Sequence, residues 1–424
     1  MPRLSSFLFS LLLIVSMPIS STAQPEKLPL NLDQLIDEAL QNNPEITALR
    51  KKWDVFKEKA PQASALDDPM IGIGIVNLPT NFSLDDEDMT MKELSLSQKF
   101  PFPGKRRLMR EMAENEVEAA SKEFEEKVNW IIKEVKVAYF DLSHIYRVED
   151  VTRRNKEILE GIAGIAETRY ALGVGIQQDL LKARLEILRM VDELIMLEQK
   201  RAALEAKLIS LLNRSPRTPM GKPEDIIFRK LPVTTEKLQE TALTSNPTLS
   251  GLKEMIEAKE NAHRLAELEH YPDFNFRVAY GQRDDAFDRT RRDLLTAMIE
   301  INLPIFRQSK QARKVAETDA DIQGVKARYL TAENEILFKV ANVTSMIRRT
   351  ERQLELYRTG IIPQASLQVS SALNAYRVNK ADFMTLLDGQ MTLYRYELEY
   401  HEALTEYEKN LADLEMIIGE PLSR

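Results

Sequence analysis

The sequence predicts a mainly α-helical, internally duplicated protein in which each half also contains a β-hairpin. Three observations lead to this fold class. Residues 105–172 form a stretch without proline that is long enough for one continuous helix. Two shorter segments in each half alternate between large apolar residues and small or polar ones, which is the period of a β-strand. The same order of segments then occurs a second time, and such a repeat has to be recognised before a fold is assigned.

Two helical turnarounds define the repeat most clearly. The segment Tyr170–Leu188, YALGVGIQQDLLKARLEIL, is followed 206 residues later by Tyr376–Tyr394, YRVNKADFMTLLDGQMTLY. Earlier in each half the offset is 203 residues, as two pairs illustrate: Asn43-Pro44 with Asn246-Pro247, and Pro101 with Pro304. The three additional residues therefore lie in the second long helix, where we expect a stammer, which is a local change in supercoil winding.

The N-terminus predicts a secretory signal peptide. Arg3 supplies a positive charge, residues 7–17 are an apolar run, and Ser21-Thr22-Ala23 offers small residues for cleavage after Ala23. The run is too short to span a bilayer as a helix, although an uncleaved membrane anchor is the alternative. We therefore divide the chain into three parts: a signal peptide, 1–23, a first repeat with its linker, 24–233, and a second repeat, 234–424.

The composition excludes several classes of function. The formal net charge is −8, which argues against nucleic acid as a partner. The chain has no cysteine, so disulfides, thiolate metal sites and cysteine nucleophiles are excluded. An exported protein without disulfides must be held together by packing.

Each half is expected to begin with two short helices. In the first half, apolar residues recur at helical spacing from Asn31. The pair Asn43-Pro44 interrupts this pattern, and helical spacing then resumes to about Ala65. Asp68-Pro69 ends the second helix, because the residue before a proline resists the helical conformation.

Two alternating strands follow in each half and predict a hairpin. In the first half these are the segments around Ile71–Ile75 and Leu94–Phe100, joined by the polar loop Thr80–Thr90. In the second half they are Phe274–Tyr280 and Leu295–Leu303. Strands of about ten alternating residues are typical of membrane β-barrels. The alternative is a soluble hairpin packed on the helices.

A long helix and a return helix come after each hairpin. In the first half the corner FPFPGKRR, Phe100–Arg107, redirects the chain into a helix over 105–172, which would be about 100 Å long. The expected return helix covers about 177–212, and its apolar residues at seven-residue steps predict coiled-coil packing. Residues 213–233 contain four prolines and are interpreted as a linker. The second half repeats this order with helices over about 309–378 and 382–418.

Four strands in one chain cannot close a barrel. An open sheet edge in lipid leaves N–H and C=O groups unpaired, at a cost of several kcal/mol each. Three chains would supply twelve strands, which are enough for a closed barrel. The sequence therefore predicts that the chain oligomerises.

The whole mature chain resembles the TolC family of outer membrane factors. The resemblance rests on the two-fold repeat, the Asn-Pro pairs, the paired hairpins and the turn VNKADFMTLLDGQMTLY, Val378–Tyr394. It implies a homotrimer with a twelve-stranded barrel in the outer membrane, continuous with a helical tunnel in the periplasm. The FPFPGKRR corner is similar to a Phe-Pro-Gly-Lys segment of the heavy-metal efflux branch.

The resemblance also implies a gate near the second turnaround. Asp388 falls where the family places an inward-facing aspartate at the periplasmic mouth, and a threefold axis would bring three copies together. At about 8 Å, each pair would repel by roughly 0.5–2 kcal/mol. Family members often carry a second aspartate three residues earlier, where this chain has Thr385. The alternative is that Asp388 is a solvated helix acid.

The two turnarounds are candidate docking tips for a periplasmic adaptor. They consist of Gly173, Val174 and Gly175 in the first half and of Asn379, Lys380 and Ala381 in the second. Glycine and asparagine allow a tight left-handed turn. The flanking residues Leu172, Val174, Val378 and Phe383 would offer apolar contacts. The alternative is a plain turn without a partner.

No catalytic site, metal site or cofactor is predicted. The four histidines, His144, His263, His270 and His401, have no ligand spacing in the sequence. The acidic loop residues Asp85, Asp86, Glu87 and Asp88 are interpreted as a solvated loop, with cation capture as the alternative.

The predicted function is a passive outer-membrane exit duct of a tripartite efflux system in a Gram-negative cell. The partners would be a periplasmic adaptor, an inner-membrane pump of the RND type and outer-membrane lipid. The cargo would be heavy-metal cations or small toxic compounds. Two rival functions stay open: a type I secretion duct for polypeptides, and a periplasmic coiled-coil adaptor or scaffold.

Overall fold

A computed structural model describes residues 29–285 and 288–422, so the predicted signal peptide lies outside the described residues. The first half contains α1 (Leu32–Asn42), α2 (Pro44–Ala63), β1 (Met70–Val76), β2 (Met91–Phe100), α3 (Lys105–Ala171) and α4 (Gln177–Leu211). The second half contains α5 (Thr235–Ser245), α6 (Pro247–Leu268), β3 (Phe274–Gln282), β4 (Leu294–Ile301), α7 (Gln311–Leu356), α8 (Ile362–Arg377) and α9 (Phe383–Ile418). The order of elements in the two halves is the same, as the repeat predicted, except that the second long helix is divided into α7 and α8.

The repeated Asn-Pro pairs join the start of one helix to the end of another. Asn246 caps α6 by accepting a hydrogen bond from the Leu249 N–H (3.1 Å), and its side-chain amide donates to the Ile417 carbonyl at the end of α9 (2.7 Å). Asn43 makes the same two contacts, with Glu45 (2.9 Å) and Leu211 (3.0 Å). Both asparagines are buried. One asparagine side chain thus hydrogen-bonds a free backbone N–H at the start of one helix and a free backbone carbonyl at the end of another.

Substitution of Asn246 tests this double role. We expect Asn246→Ala to lower the free energy of unfolding by about 2–4 kcal/mol, because the cap is lost and the buried Ile417 carbonyl loses its donor. Asn31→Ala is the control, since Asn31 caps α1 through the Gln34 N–H alone (3.2 Å), and it should cost about 1 kcal/mol. Urea unfolding followed by circular dichroism measures both. Equal losses would contradict the double role.

The helices pack around α3, which contacts α2, α4, α6 and α9 along its length. One apolar core lies where α1 and the end of α4 meet α3, a second lies between α5, α7 and α9, and a third lies towards the turnarounds. Residues 213–233 form neither helix nor strand, as expected of a linker. They are nevertheless packed, because Met220 and Leu231 are buried in the first two cores and Leu30 forms a parallel bridge with Pro223.

The second long helix is interrupted by a π-helical turn, Tyr357–Ile361, between α7 and α8. The sequence predicted a three-residue stammer between Pro304 and Tyr376, and the π-helical turn lies in this interval. Pro363 follows at the start of α8. Because proline has no N–H, it cannot continue the regular hydrogen-bond ladder of an α-helix. Pro363 was the signal in the sequence for this interruption, whereas the helix was expected to run unbroken over about 309–378.

The two hairpins form one antiparallel sheet with the order β1-β2-β3-β4. Its central pair runs from Phe100 opposite Phe274 to Lys92 opposite Gln282. The strands have 7 to 10 residues, which is slightly shorter than expected. The pairing of the two hairpins was not predicted from the sequence, and it leaves β1 and β4 as the edges of the sheet.

The register places the large apolar side chains on one face of the sheet. Across its middle, Ile71 lies opposite Leu96, Leu96 opposite Val278, and Val278 opposite Ala297. This apolar face is exposed: Ile73 is 86% exposed and Leu295 75%. The opposite face carries polar pairs, for example an ion pair of Arg277 with Glu93 and a hydrogen bond from Asn275 to Glu300 (2.6 Å). The sheet thus has an exposed apolar face and a face that carries polar side chains of β2, β3 and β4.

The FPFPGKRR corner is fixed by contacts with the start of β3. The Lys105 ammonium lies 2.8 Å from a carboxylate oxygen of Asp273, and the Phe102 N–H donates to the same oxygen (2.8 Å). The Phe102 ring stacks on Tyr271 with ring centroids 4.7 Å apart. Gly104 has a φ of +98°, a conformation that favours glycine. These contacts turn the chain from β2 into α3.

Among the helices of the described residues, none combines the length and the apolar character needed to cross a membrane.

Candidate functional site

The two turnarounds have the same backbone geometry. Gly173 has a φ of +71° and Asn379, its counterpart at the offset of 206, has a φ of +64°. In each turn a backbone N–H donates to the carbonyl five residues earlier. The Val174 N–H donates to the Arg169 carbonyl (3.0 Å), and the Lys380 N–H donates to the Ala375 carbonyl (2.8 Å). This is the hydrogen bond of the Schellman motif, in which a left-handed residue ends a helix.

The first turnaround needs a second glycine. A Cβ atom on Gly175 would lie 3.0 Å from the Cβ of Arg169 and 3.1 Å from the Tyr170 nitrogen. The backbone approaches α3 too closely there for a side chain. At the equivalent place in the second turnaround, Ala381 is partly buried and its side chain is accommodated.

Arg169 joins the two turnarounds within one chain. Its guanidinium donates to the Tyr376 carbonyl and to the side-chain oxygen of Asn379 (2.6 Å), and it lies 4.4 Å from the centroid of the Tyr376 ring. Charged hydrogen bonds of this kind are the stronger ones in proteins. Sequence reasoning missed Arg169, because nothing in the repeat relates a last-turn arginine of α3 to the other hairpin. Its position one turn before Gly173 was the only signal.

A groove of about 480 Å³ lies beside this arginine and between the two turnarounds. Asp179 lines it, next to the Tyr376 hydroxyl and the Arg169 charge. Burial raises the pKa of Asp179 above its usual value, against the opposing effect of Tyr376 and Arg169. Burial also raises the pKa of the Tyr376 hydroxyl. The groove therefore combines an acid, an arginine and a buried tyrosine with exposed apolar residues.

Three of the four apolar residues expected at the tips are exposed. Leu172, Val174 and Val378 have exposed fractions of 73%, 59% and 63%. The expectation for Phe383 is wrong: it is 2% exposed and packs edge-on against the Tyr376 ring, with centroids 5.8 Å apart. As the first residue of α9 it faces the core, because it precedes Leu386 and Leu387 on the buried face of that helix.

Asp388 and Thr385 lie three residues apart on the exposed face of α9. The Thr385 N–H donates to Asp382, the N-cap of the helix (2.7 Å), and contacts with Thr385 lower the pKa of Asp382. Within the described parts of the chain, the Asp388 carboxylate has neither a hydrogen bond nor an ion pair. Its charge is therefore free to act on groups outside the single chain.

Two of the histidines meet in space although 257 residues separate them. His144 on α3 and His401 on α9 line one cavity of about 220 Å³, together with Arg147 and Asp225. Burial and the nearby Arg147 charge lower the pKa of His401 to about 4, and burial lowers that of His144. Over residues 29–285 and 288–422, no group of three or more potential metal ligands is found. The spacing of the histidines in the sequence gave no indication of this meeting.

The acidic loop between β1 and β2 contacts the loop between β3 and β4. Asp88 forms ion pairs with Arg289 and with Arg291 (2.9 Å), and Asp86 accepts a hydrogen bond from Asn81 (2.6 Å). Arginines of the neighbouring loop thus neutralise part of the acidic charge, which argues against cation capture, and the loop is tied to its neighbour as well as solvated.

Comparison with known proteins gives one family match for part of the sequence and several structures with a similar fold. Residues 35–214 match the family described as outer membrane efflux protein. The fold is similar to that of CusC, with 14% identity, 93% of each chain covered and a TM-score of 0.79. It is also similar to VceC from Vibrio cholerae, with 18% identity, 92% of this chain and 97% of that chain covered and a TM-score of 0.76.

A third similar structure is the outer membrane channel MtrE of Neisseria gonorrhoeae, solved in its open state. It has 17% identity, covers 93% of this chain and 90% of its own, and gives a TM-score of 0.74. At these identities the likeness establishes the fold alone. A search of curated protein sequences gives no match.

Proposed function

We propose that the chain is the exit duct of a tripartite efflux system, because residues 35–214 match the family described as outer membrane efflux protein. In this proposal three chains form a twelve-stranded barrel in the outer membrane, continuous with a helical tunnel in the periplasm. Transport through it is passive. An inner-membrane pump of the RND type supplies the energy, and a periplasmic adaptor connects that pump to the duct.

The exposed apolar face of the sheet is the observation that carries the proposal. Contiguous exposed apolar faces mark contacts with a membrane or with another protein. The opposite face of the sheet is polar and holds the Arg277–Glu93 pair. This arrangement is expected if one face contacts lipid and the other lines a pore. The edges β1 and β4 have unpaired backbone groups, which lipid cannot satisfy. Pairing β4 of one chain with β1 of the next would remove both edges.

The proposed gate lies at the mouth of the tunnel, where three Asp388 carboxylates would face the threefold axis. The ring would attract cations, and cations bound between the three carboxylates would hold the closed mouth together. Thr385, three residues earlier on the same face, adds no second charge to this ring.

Substitution of Asp388 tests the gate. We expect Asp388→Ala to loosen the closed pore, seen as altered single-channel conductance in a planar bilayer and as increased antibiotic entry into cells, because the charged ring is lost. Asp192→Ala, which removes an exposed acid of α4, is the control and should behave like the wild type. If both readouts for Asp388→Ala also match the wild type, Asp388 is a solvated acid.

The adaptor is proposed to dock on the two turnarounds. The exposed residues Leu172, Val174 and Val378 support this, together with the exposed Asn379-Lys380 turn. A photocrosslinker placed at Val174 or Lys380 should form an adduct with an adaptor in cells. The control position is Phe338, which is exposed on α7 and distant in sequence from either turnaround. Absence of adducts at both tips would contradict docking.

Heavy-metal cations or small toxic compounds are the proposed cargo, on the resemblance of the FPFPGKRR corner. A deletion strain should become more sensitive to exported compounds, and the wild-type gene should restore resistance. Screening metal salts, dyes and antibiotics separates the cargo classes. A strain whose only defect is failure to secrete a polypeptide would favour the type I secretion duct instead.

A further inference from the structure

A groove that the proposed function does not use lies just beyond the end of the sheet that adjoins the helices. It has a volume of about 740 Å³ and lies between the first turn of α3, the last turn of α6 and the first turn of α7. Its polar lining includes Arg107, Arg264 and Glu267, and its apolar floor includes Leu108 and Leu268. A groove with an apolar floor and arginines at its rim matches an amphipathic ligand.

The groove continues directly from the apolar face of the sheet. Phe100 and Phe276 make an edge-to-face contact on that face, with ring centroids 5.5 Å apart. Two residues beyond Phe100, the Phe102 ring stacks on Tyr271, and Tyr271 lines the groove. Tyr271 lies three positions before the start of β3 at Phe274, which is about 10 Å of extended chain. Tyrosine is enriched at that depth, where hydrocarbon gives way to headgroups.

The arginines of the groove are available for a ligand. Arg107 is 75% exposed, and its one ion pair, with Glu111, is long at 3.7 Å. Arg264 is exposed and donates only to the Asn261 side chain (3.3 Å). Glu267, the acid in the lining, lies 3.8 Å from His263. Neither α3 nor α7 has a side-chain cap at its start, so the positive ends of two helix dipoles add to the arginine charge.

The segment that leads into α7 adds apolar and cationic side chains beside the groove. Leu303, Ile305 and Phe306 are 72%, 73% and 69% exposed. Arg307 and Lys310 follow and have no ion pair within the described residues. Apolar and aromatic side chains next to basic ones are typical of segments that lie at a membrane surface.

We propose that this groove binds the phosphate diester headgroup of a phospholipid from the membrane leaflet that borders the helices. Arg107 and Arg264 bind the phosphate, Tyr271 lies at the glycerol level, and the apolar floor contacts the start of the acyl chains. This assignment rests on the proposed insertion of the sheet into the outer membrane. It adds a specific lipid contact that would hold the start of α3, the end of α6 and the start of α7 together where the sheet meets the helices.

The test uses the full mature protein extracted in detergent and stripped of lipid by detergent exchange. Native mass spectrometry then follows titration with dioleoylphosphatidylglycerol and, separately, with dioleoylglycerol, which has the same chains but no phosphate. We expect the phospholipid to bind the wild type and to bind Arg107→Gln/Arg264→Gln about tenfold more weakly or worse. Arg110→Gln is the matched control, because Arg110 lies one turn further along α3, pairs with Glu114 (2.7 Å) and does not line the groove.

Three results would overturn the proposal: equal binding of the phospholipid to the double variant and the wild type, equal binding of dioleoylglycerol and the phospholipid, or displacement of the phospholipid by millimolar inorganic phosphate with no dependence on the acyl chains. The titration is done in detergent, so it does not depend on the channel function. A protein that fails to reach the outer membrane would refute the proposed function, whereas loss of lipid binding in a correctly inserted channel would refute only the lipid site.

Discussion

Ala297→Arg is expected to prevent insertion of the protein into the outer membrane. Ala297 lies in the middle of β4, opposite Val278, on the exposed apolar face of the sheet. An arginine at the midplane of a membrane strand costs about 2–4 kcal/mol per chain. Three copies in one barrel would multiply that cost. The readout is the amount of protein in the outer-membrane fraction and the fraction that migrates as a heat-modifiable oligomer.

Thr296→Arg is the matched control for this prediction. Thr296 is the neighbouring residue of β4, and its side chain points to the polar face, opposite Ala279. The same charge is thus introduced one residue away on the other face. We expect Thr296→Arg to insert at close to wild-type levels, because a polar lumen accepts an arginine. Equal insertion of the two variants, or equal loss, would contradict the assignment of the two faces.

Arg169→Ala is expected to separate the two turnarounds and to increase leakage through the closed channel. The variant loses the hydrogen bonds to the Tyr376 carbonyl and Asn379, together with the contact over the Tyr376 ring. Each charged hydrogen bond contributes about 1.5–3 kcal/mol. The hairpin of α8 and α9 would then move more freely against that of α3 and α4. Single-channel recording should show more frequent or longer openings.

Arg184→Ala is the control, because its contact stays within one hairpin. Arg184 on α4 pairs with Glu167 on α3 at 3.5 Å, and both side chains are exposed. Exposed ion pairs contribute about 0–1 kcal/mol, so this variant should conduct like the wild type. If Arg169→Ala has the conductance and open probability of the wild type, the contact between the turnarounds does not hold the channel closed.

Local chemistry made the repeated elements predictable. The Asn-Pro pairs announce a cap followed by the first helical residue, and the structure has them at Asn43 and Asn246. Gly173 and Asn379 are residue types that accept a positive φ, and both adopt one. The alternation of large apolar residues with small or polar ones predicted the strands β1 to β4. Each of these signals lies within a few residues of the feature it specifies.

Contacts between distant segments were not predictable in the same way. Arg169 reaches Asn379 across 210 residues, and His144 meets His401 only because α3 packs on α9. The pairing of β2 with β3 joins the two halves alongside the contact of α3 with α6, and no local pattern encodes either contact. Phe383 was misplaced because its exposure depends on the rotation of α9, which the position of a turn does not determine. Side-chain partners across the molecule follow from packing, so they became visible only with the fold.

The groove at the end of the sheet is also formed by distant segments, so the sequence did not predict it. FPFPGKRR was recognised as a corner, and Lys105 does hold that corner through Asp273. Arg107, two residues later, points to a different role, because it lines the groove instead of the corner. A basic run next to a strand thus combines a structural contact and a candidate lipid contact, and only the fold separates the two.

The native mass of the protein extracted from purified outer membranes decides between a membrane duct and a periplasmic scaffold. We expect the protein in the outer-membrane fraction, soluble only with detergent, as a heat-modifiable particle of three chains. A detergent-free, soluble periplasmic protein that is monomeric in the same measurement would contradict the closed twelve-stranded barrel and the exit duct built on it.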